Sequence, residues 1–450
     1  MRYDESITWA FFSARSWGTI VSWYPFPNNH VLFSLLAKAT ASLAPFQPWA
    51  FRLPAFIAGV AIIPLVWAVG RRLTDRRTAL IGAALTVGST PLVLYSVNGR
   101  GHTILVALSL VLILVADRLR TRPTWWPGWI AFSVIAALGL YTVPVMVYPI
   151  GAVSLWIALD ALRGWREDRR RALRTIVILD IAGVAALALA YLLYLPIIRT
   201  AGVGAITGNK LAQPISWSFF VSLLPKFVYE IVTTWTAPLP WWCVPFTFGL
   251  ALYGLSRVAP RGRASLAGAT LIWSVGLFLL SHRQPFARFW LFMLPLFLLC
   301  VARGLVLLLD RWPRTARMSP AWSATAIAAL MATIALGTRA AEVTDDTGTY
   351  REARAVTAVL ATQLRPGDRV LAPIPNNAPL LYYFDEKKLD VGLLDTPPAA
   401  TKRAFLVLNP RRGQTLEWAV KKGMIDPAFF TDPVLLLRAP EAELWRTERR

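Results

Sequence analysis

Apolar stretches dominate the sequence between residues 51 and 338. About ten of them have the composition of membrane-spanning helices, which need about 20 mostly apolar residues each. Hydrophobic residues make up 56% of the 450-residue chain, and its mean hydropathy is +0.50. A soluble protein would have to expose much of that surface to water. The sequence predicts a polytopic α-helical membrane protein with spans near 51–70, 78–96, 103–117, 126–142, 144–160, 175–198, 240–256, 264–281, 287–309 and 320–338.

The formal charge of +22 is concentrated in every second loop between these spans. Basic residues on alternate loops are typical of cytoplasmic loops in multi-pass proteins. The pattern therefore predicts a plasma-membrane protein whose N-terminal segment, 199–239 loop and C-terminal tail all lie outside the cytoplasm. Because the charge follows topology, it does not indicate nucleic-acid binding. The basic loops are 71–77, 117–122, 163–174, 257–263 and 310–317.

Three regions follow from this pattern. Residues 1–50 contain apolar runs broken by Pro and Asn, which predicts an external segment with helices lying on the membrane surface. Residues 51–340 form the transmembrane bundle, and a further surface helix is expected at 215–236 within its external loop. Residues 341–450 alternate helical and strand patterns, which predicts a small extracytoplasmic α/β domain. We expect that domain to serve folding or partner docking rather than catalysis.

The beginning of the chain, "MRYDES", is neither a signal peptide nor a membrane anchor. If residues 1–50 are external, something must carry them across the bilayer. We therefore expect that a first transmembrane helix is missing ahead of this sequence, for example through a misplaced start codon. The alternative is that the helix that follows translocates a short N-terminal segment.

The adjacent carboxylates Asp4 and Glu5 are the first candidates for chemistry. Neighbouring residues of a helix point about 100° apart, so one carboxylate can face a cavity while the other binds a neighbour. A partly desolvated carboxylate near an acceptor hydroxyl is a competent general base. The alternative is an acidic pair that is favoured only by the dipole at a helix N-terminus.

Further polar residues fall in the predicted external loops. Arginine suits phosphate because its planar fork donates paired hydrogen bonds. The same arginines would also serve as interface anchors whose charges reach out of the hydrocarbon region. The external candidates are Arg100, His102, Arg283 and Arg288, with Asn29, His30 and Tyr95 as further residues that would line a cavity.

The order of these segments resembles the GT-C superfamily of membrane glycosyltransferases, nearest to glycosyltransferase family 39 (protein O-mannosyltransferases) and the aminoarabinose transferase type. The similarity extends over most of residues 1–310 and is strongest in the first 120. The matching segments are the Asp4–Glu5 pair, "PNNHVLFSLL" at 27–36, "WAFRLPAFIAGV" at 49–60, "GRRLTDRRTALIGAAL" at 70–85, "LYSVNGRGHT" at 94–103 and "ARFWLFMLPLF" at 287–297.

The resemblance implies that a hexose or pentose moves from a polyprenyl-phosphate donor to an acceptor protein, lipid or glycan at the outer face, with inversion. It places the catalytic carboxylate on Asp4, with Glu5 beside it. Donor phosphate would be held by Arg100 and Arg288, assisted by His102 and Arg283. We expect these carboxylates and basic residues to converge on one pocket at the non-cytoplasmic side of the bilayer.

Some members of the resembling families use a divalent metal, so a metal site formed from Glu5, His30 and His102 is a further expectation. Two other functions remain open at this point. A transporter of lipid-linked sugars would also need an external cavity with basic residues, although no matching halves are evident in the sequence. A non-catalytic GT-C-like scaffold would keep the architecture without the chemistry.

Overall fold

The structure, a computed structural model, describes residues 1–26, 29–208, 213–256, 265–283, 286–344, 348–394, 401–428 and 430–450. It divides into two compact units. Unit 1 comprises Met1–Ser16, Ala41–Ala50 and Thr344–Arg450, and unit 2 comprises Trp17–Thr40 and Phe51–Val343. The sequence predicted residues 1–50 as one external segment, whereas the structure distributes them between both units.

Unit 2 is helical, and each of the predicted spans corresponds to a helix or to a bent pair of helices. Within the described ranges, six helices are long and apolar enough to cross a membrane, or seven if the pair Arg76–Val87 and Thr90–Ser96, bent by 61°, counts as one span. The prediction of a polytopic α-helical membrane protein is confirmed, while the count of ten stays a prediction. The six are Pro48–Leu73, His102–Thr121, Pro144–Arg166, Arg169–Ala201, Ala287–Leu309 and Pro320–Thr338.

Unit 2 contains further helices, most of them shorter. Apolar helices of 10 to 17 residues are Val31–Ala41, Trp126–Thr142, Trp241–Leu255 and Leu266–Ser281. The predicted surface helix at 215–236 is present as Trp217–Thr236, where Lys226 Nζ lies 3.9 Å from Glu230 Oε1 one turn away. A short helix, Trp17–Ser22, precedes them all. The predicted basic loop 257–263 lies outside the described residues.

Local signals explain where the longest helix begins and ends. Asp168 precedes Arg169–Ala201, and its Oδ1 accepts the Arg171 backbone N–H at 2.9 Å. Such a side chain satisfies one of the backbone donors that a helix leaves unpaired at its N-terminus. At the other end, Gly202 has φ +75°, a left-handed conformation that glycine adopts without a steric penalty.

Two helices are central in unit 2. The most apolar window of His102–Thr121 is 61% buried within the protein and that of Ala287–Leu309 is 56% buried, against 17 to 33% for the other four spans. Helices that are mostly covered by protein rather than lipid are the inner helices of a bundle. The first turn of each of these inner helices contains a residue of the candidate site, His102 in one and Arg288 in the other.

The C-terminal part of unit 1 is the predicted small α/β domain. Its four strands are β1 (Asp368–Leu371), β2 (Arg403–Leu408), β3 (Val434–Ala439) and β4 (Ala442–Glu448), and their order in the sheet is β1-β2-β4-β3. β1 pairs with β2 in parallel, and the other two pairs are antiparallel. The accompanying helices are Ala353–Gln363, Asn377–Glu386 and Leu416–Lys421. The sequence did not predict Asn377–Glu386.

The first residues of the chain pack in the same unit. A helix, Tyr3–Thr8, continues directly into a π-helical turn, Trp9–Ser13. We call Tyr3–Thr8 the acidic helix because Asp4 and Glu5 lie in its first turn. π-helical turns are uncommon in proteins, and many of those that occur lie at functional sites.

Candidate functional site

A cluster of buried basic side chains lies in unit 2. We call His30, Arg100 and His102 the basic cluster; their exposed fractions are 3%, 3% and 1%. His30 directly precedes the helix Val31–Ala41, Arg100 lies in the turn after Thr90–Ser96, and His102 begins the inner helix His102–Thr121. Cationic and polar groups this deeply buried are rare without a partner or a ligand.

The geometry of the cluster centres on the ring of His30. The Gly101 backbone N–H donates to Nδ1 of His30 at 2.9 Å. On the opposite side of the ring, Nη2 of Arg100 lies 3.0 Å from Nε2. The rings of His30 and His102 meet edge to face, with centroids 5.0 Å apart. One loop and one helix N-terminus therefore converge on a single imidazole.

Both contacts bring a donor to the ring of His30, but a neutral imidazole has only one acceptor nitrogen. Because Nδ1 accepts the Gly101 N–H, the proton of a neutral ring must be on Nε2. A guanidinium only donates hydrogen bonds. The Nε2–H of His30 and the Arg100 guanidinium therefore present two donors to the same place, an arrangement that a negatively charged acceptor such as a phosphate oxygen would satisfy.

Electrostatics keep the ring of His30 neutral. Burial lowers its pKa well below the ordinary value, and the nearby positive charge of Arg100 lowers the pKa further. Arg288 acts on the His30 pKa in the same direction, which brings this arginine into the surroundings of the cluster. The basic cluster therefore combines an arginine charge with a neutral imidazole donor, a combination that favours binding of an anion.

His102 lies between aromatic rings. Its ring centroid is 4.8 Å from that of Tyr95 and 6.3 Å from that of Phe289. Both ring nitrogens are buried, and neither has a hydrogen-bond partner among the residues that the structure describes. A buried polar group without a partner costs about 1–3 kcal/mol, so this histidine is disposed to bind a ligand.

The glycine between Arg100 and His102 allows this close approach. A Cβ on Gly101 would lie 2.7 Å from Cγ2 of Thr142 and 3.1 Å from Nδ1 of His30. Both distances are shorter than an ordinary van der Waals contact. A side chain at residue 101 would thus separate the backbone N–H from the imidazole that it orients.

The other predicted residues of unit 2 differ in their surroundings. Cζ of Arg288 stacks on the Phe286 ring at 4.1 Å. By contrast, the exposed guanidinium of Arg283 points to the carbonyl of Thr207, with Nη1 3.4 Å from the oxygen. Asn29 is buried and serves the local fold, because its Nδ2 donates to the Ile20 carbonyl and its Oδ1 accepts from Ser34.

One residue near the cluster was not predicted from the sequence. Tyr24 is buried, and burial raises its pKa to about 12, although the charge of Arg100 opposes the shift. Because Tyr24 is near Arg100, its neutral phenol lies beside the basic cluster. The only sequence signal was an aromatic next to the Pro- and Asn-rich segment, which many aromatic residues of this chain share.

The acidic pair lies in unit 1, and the structure separates its members. Glu5 is fully buried, and its Oε1 accepts the backbone N–H of Arg2 at 2.7 Å, as in a helix capping box. Asp4 is half-buried. Glu5 therefore stabilises the start of the acidic helix. The pair and the basic cluster belong to different units, and their predicted convergence on one pocket stays a prediction.

The expected metal site has little support in the geometry. Within the described ranges, no group of three or more His, Cys, Asp or Glu side chains is arranged to hold a metal ion. The Nδ1 atom of His30 is already engaged by the Gly101 N–H, which removes one of the nitrogens that would coordinate a metal.

The chain is similar to one family model and to several solved structures. Residues 28–194, which contain the whole basic cluster, match the family model described as dolichyl-phosphate-mannose-protein mannosyltransferase. The structure of ArnT from Cupriavidus metallidurans in the apo state aligns with a TM-score of 0.60 at 13% identity, covering 99% of this chain and 93% of that one. The chain has the same fold as this ArnT structure. The resemblance to GT-C membrane glycosyltransferases is thereby confirmed.

Two further structures share this fold. ArnT from the same organism bound to undecaprenyl phosphate gives a TM-score of 0.55 at 14% identity, covering 99% of this chain and 92% of that chain. The Archaeoglobus fulgidus oligosaccharyltransferase complex with Zn and sulfate gives 0.50 at 12% identity, covering 99% and 69%. No curated protein matches the sequence. At these identities the structural likeness shows the fold and not the substrate.

Proposed function

We propose that this GT-C protein transfers a sugar from a polyprenyl-phosphate donor to an acceptor at the extracytoplasmic face of the membrane. The observation that carries the proposal is the buried contact of Arg100 Nη2 with His30 Nε2 at 3.0 Å, where both nitrogens are donors when Nδ1 accepts the Gly101 N–H. An anionic oxygen is the ligand that both donors require. A lipid-linked phosphate fits, because the cluster lies at the end of an inner membrane helix.

The phosphate is also the leaving group in this reaction. A nucleophile of the acceptor attacks the anomeric carbon, and the bond between that carbon and the phosphate oxygen breaks. The electron pair stays on the lipid phosphate, whose added charge Arg100 and Arg288 stabilise. His102 donates a hydrogen bond to the same group. A single displacement of this kind inverts the anomeric centre.

The remaining requirement is a base for the acceptor proton. We assign this role to Asp4, because Glu5 is used within the acidic helix as the acceptor of the Arg2 N–H. A positioned carboxylate that removes a proton in the transition state contributes about 10²- to 10⁴-fold in rate. Loss of that proton to water after product release restores the carboxylate.

The test compares two isosteric variants in membranes that contain the full chain. Undecaprenyl-phosphate-linked hexoses and pentoses are supplied, and donor consumption is followed by mass spectrometry. Asp4→Asn should lower kcat by about 10²- to 10⁴-fold with little change in donor affinity. Glu5→Gln keeps an oxygen that accepts the Arg2 N–H, so it should retain most activity. Undiminished transfer by Asp4→Asn would overturn the assignment of the base.

A second candidate function is a transporter of lipid-linked sugars. It is favoured by the 61° break between Arg76–Val87 and Thr90–Ser96, because broken helices often line transport sites. Movement of undecaprenyl-phosphate sugar between vesicle leaflets, without any loss of the sugar from the lipid, would support this function over transfer.

A further inference from the structure

We propose that the C-terminal domain, residues 344–450, positions the acidic helix for catalysis, and that Trp9 and Asp385 are positioning residues of the reaction. The inference rests on the proposed function of Asp4 and extends it to a domain for which the sequence suggested no catalytic part. It stands on contacts within unit 1 alone. Two separate anchors hold the segment, one on each side of Asp4.

The first anchor precedes Asp4. The backbone N–H of Tyr3 donates to the carbonyl of Gly348 at 2.9 Å, and Nη1 of Arg2 lies 3.3 Å from the carbonyl of Thr344. Gly348 has φ +68°, and a Cβ at this residue would lie 2.8 Å from Cβ of Tyr3. Glycine is therefore needed for both the conformation and the close approach.

The second anchor follows Asp4. Nε1–H of Trp9 donates to Oδ2 of Asp385 at 3.0 Å, across 376 residues of sequence. The indole is only 7% exposed and packs against Tyr382 and Phe46, with ring centroids 5.2 and 5.8 Å away. Asp385 and Tyr382 both belong to the helix Asn377–Glu386, so one helix of the domain supplies the hydrogen bond and a main apolar contact.

The acidic helix needs these anchors. It has six residues, and helices shorter than about 12–15 residues are marginal in water on their own. Its internal bonds, such as that from Ser6 Oγ to the Arg2 carbonyl, are local and do not orient it in space. The direction of the Asp4 carboxylate is consequently set by the domain that holds residues 3 and 9.

A base that is held loosely transfers protons less efficiently, because a displacement of about 1 Å can cost on the order of 100-fold in rate. Loss of an anchor should therefore lower kcat. It should leave the affinity for undecaprenyl phosphate unchanged, since the proposed phosphate ligands belong to the basic cluster. A change in kcat without a change in phosphate affinity separates positioning from general destabilisation.

The chain contains a matched control for this hydrogen bond. Nε1–H of Trp445 donates to Oε2 of Glu443 at 3.0 Å, the same type of bond in the same domain, without involvement of the acidic helix. The experiment compares Trp9→Phe, Asp385→Ala and Trp445→Phe in the full chain. Asp385→Asn serves as the conservative variant, because an amide oxygen still accepts the indole N–H.

The first readout is amide hydrogen exchange across residues 3–8, which does not depend on activity. Trp9→Phe and Asp385→Ala should accelerate this exchange about fivefold or more, while Trp445→Phe leaves it unchanged. The second readout is donor turnover. Trp9→Phe and Asp385→Ala should each lower kcat about tenfold or more, while their affinity for undecaprenyl phosphate stays within about twofold of that of the unmodified protein. Asp385→Asn should keep most of the kcat of the unmodified protein.

The outcomes separate this inference from the proposed function. Equal exchange and equal kcat in Trp9→Phe and Trp445→Phe would overturn the positioning role, even when Asp4→Asn is inactive. Transfer that survives Asp4→Asn would instead overturn the base assignment, whatever the anchor variants do. Faster exchange with lower kcat in the anchor variants alone supports the inference.

Discussion

Nη2 of Arg100 lies 3.0 Å from Nε2 of His30, a residue that is 70 positions away in the sequence. The Gly101 N–H fixes the opposite side of the same ring, so the imidazole and the guanidinium turn their donors toward one another. This relationship is the basis of the anion binding that we propose for the site.

Arg100 should contribute more to phosphate affinity than Arg283. Arg100 is buried in the basic cluster, whereas the half-buried Arg283 is directed at the Thr207 carbonyl. Arg100→Ala should weaken binding of undecaprenyl phosphate about 10- to 100-fold, the range for hydrogen bonds to a charged group. Arg283→Ala should change the affinity less than about threefold. Equal losses in titrations with both purified variants would contradict this division.

Replacement of His102 should change stability and binding in opposite directions. Both of its ring nitrogens are buried and lack hydrogen-bond partners among the described residues, while aromatic rings surround it. His102→Phe should therefore raise the melting temperature of the ligand-free protein and lower the affinity for undecaprenyl phosphate about tenfold. Thermal denaturation with and without the lipid measures both effects. A lower melting temperature without lipid would argue against an unsatisfied histidine.

Gly101 should not tolerate a side chain. A Cβ would lie 2.7 Å from Cγ2 of Thr142, so Gly101→Ala should destabilise the protein by about 1–3 kcal/mol and reduce donor binding. Thr142→Ser removes that methyl group and should restore part of the stability. Gly276 is the matched control, because a Cβ there meets nothing within 4 Å. Equal melting temperatures for the two alanine variants would contradict the steric argument.

Stability should fall in acid because of His30. Burial and the charge of Arg100 lower its folded pKa well below the usual value, so the unfolded chain takes up this proton first as the pH falls. With a pKa near 6.5 for this histidine in the unfolded chain, the free energy of unfolding falls by about 1.4 kcal/mol at pH 5.5 and by nearly zero at pH 7.5.

The variant that isolates this effect is His30→Asn, whose side-chain oxygen can still accept the Gly101 N–H. Its melting temperature should depend less on pH than that of the unmodified protein between pH 7.5 and 5.5. Parallel curves for the two proteins would show that His30 does not carry the acid sensitivity.

Sequence patterns were most informative where the signal is local. The apolar stretches, the helix Trp217–Thr236 and the α/β character of the small domain follow from periodicity and turn residues. The helix Asn377–Glu386 was missed because prolines lie before and within its first turn, a composition that usually indicates a loop.

The candidate site was predictable by residue type but not by role. Motif order indicated Asp4, Arg100, His102 and Arg288 as functional residues. It also grouped Arg283 and Asn29 with the site, and it assigned the base to Asp4 without giving Glu5 a role of its own. These distinctions depend on which backbone groups a side chain meets, such as the Arg2 N–H that binds Glu5.

The sequence by itself determined that this chain is a multi-pass helical membrane protein with a small appended domain, because hydrophobic length and period are properties of consecutive residues. Only the tertiary structure decided that His30 faces Arg100, and that the indole of Trp9 binds Asp385 across 376 residues. Contacts of this kind arise when packed helices and loops bring distant residues together. They cannot be predicted from the spacing of residues along the chain.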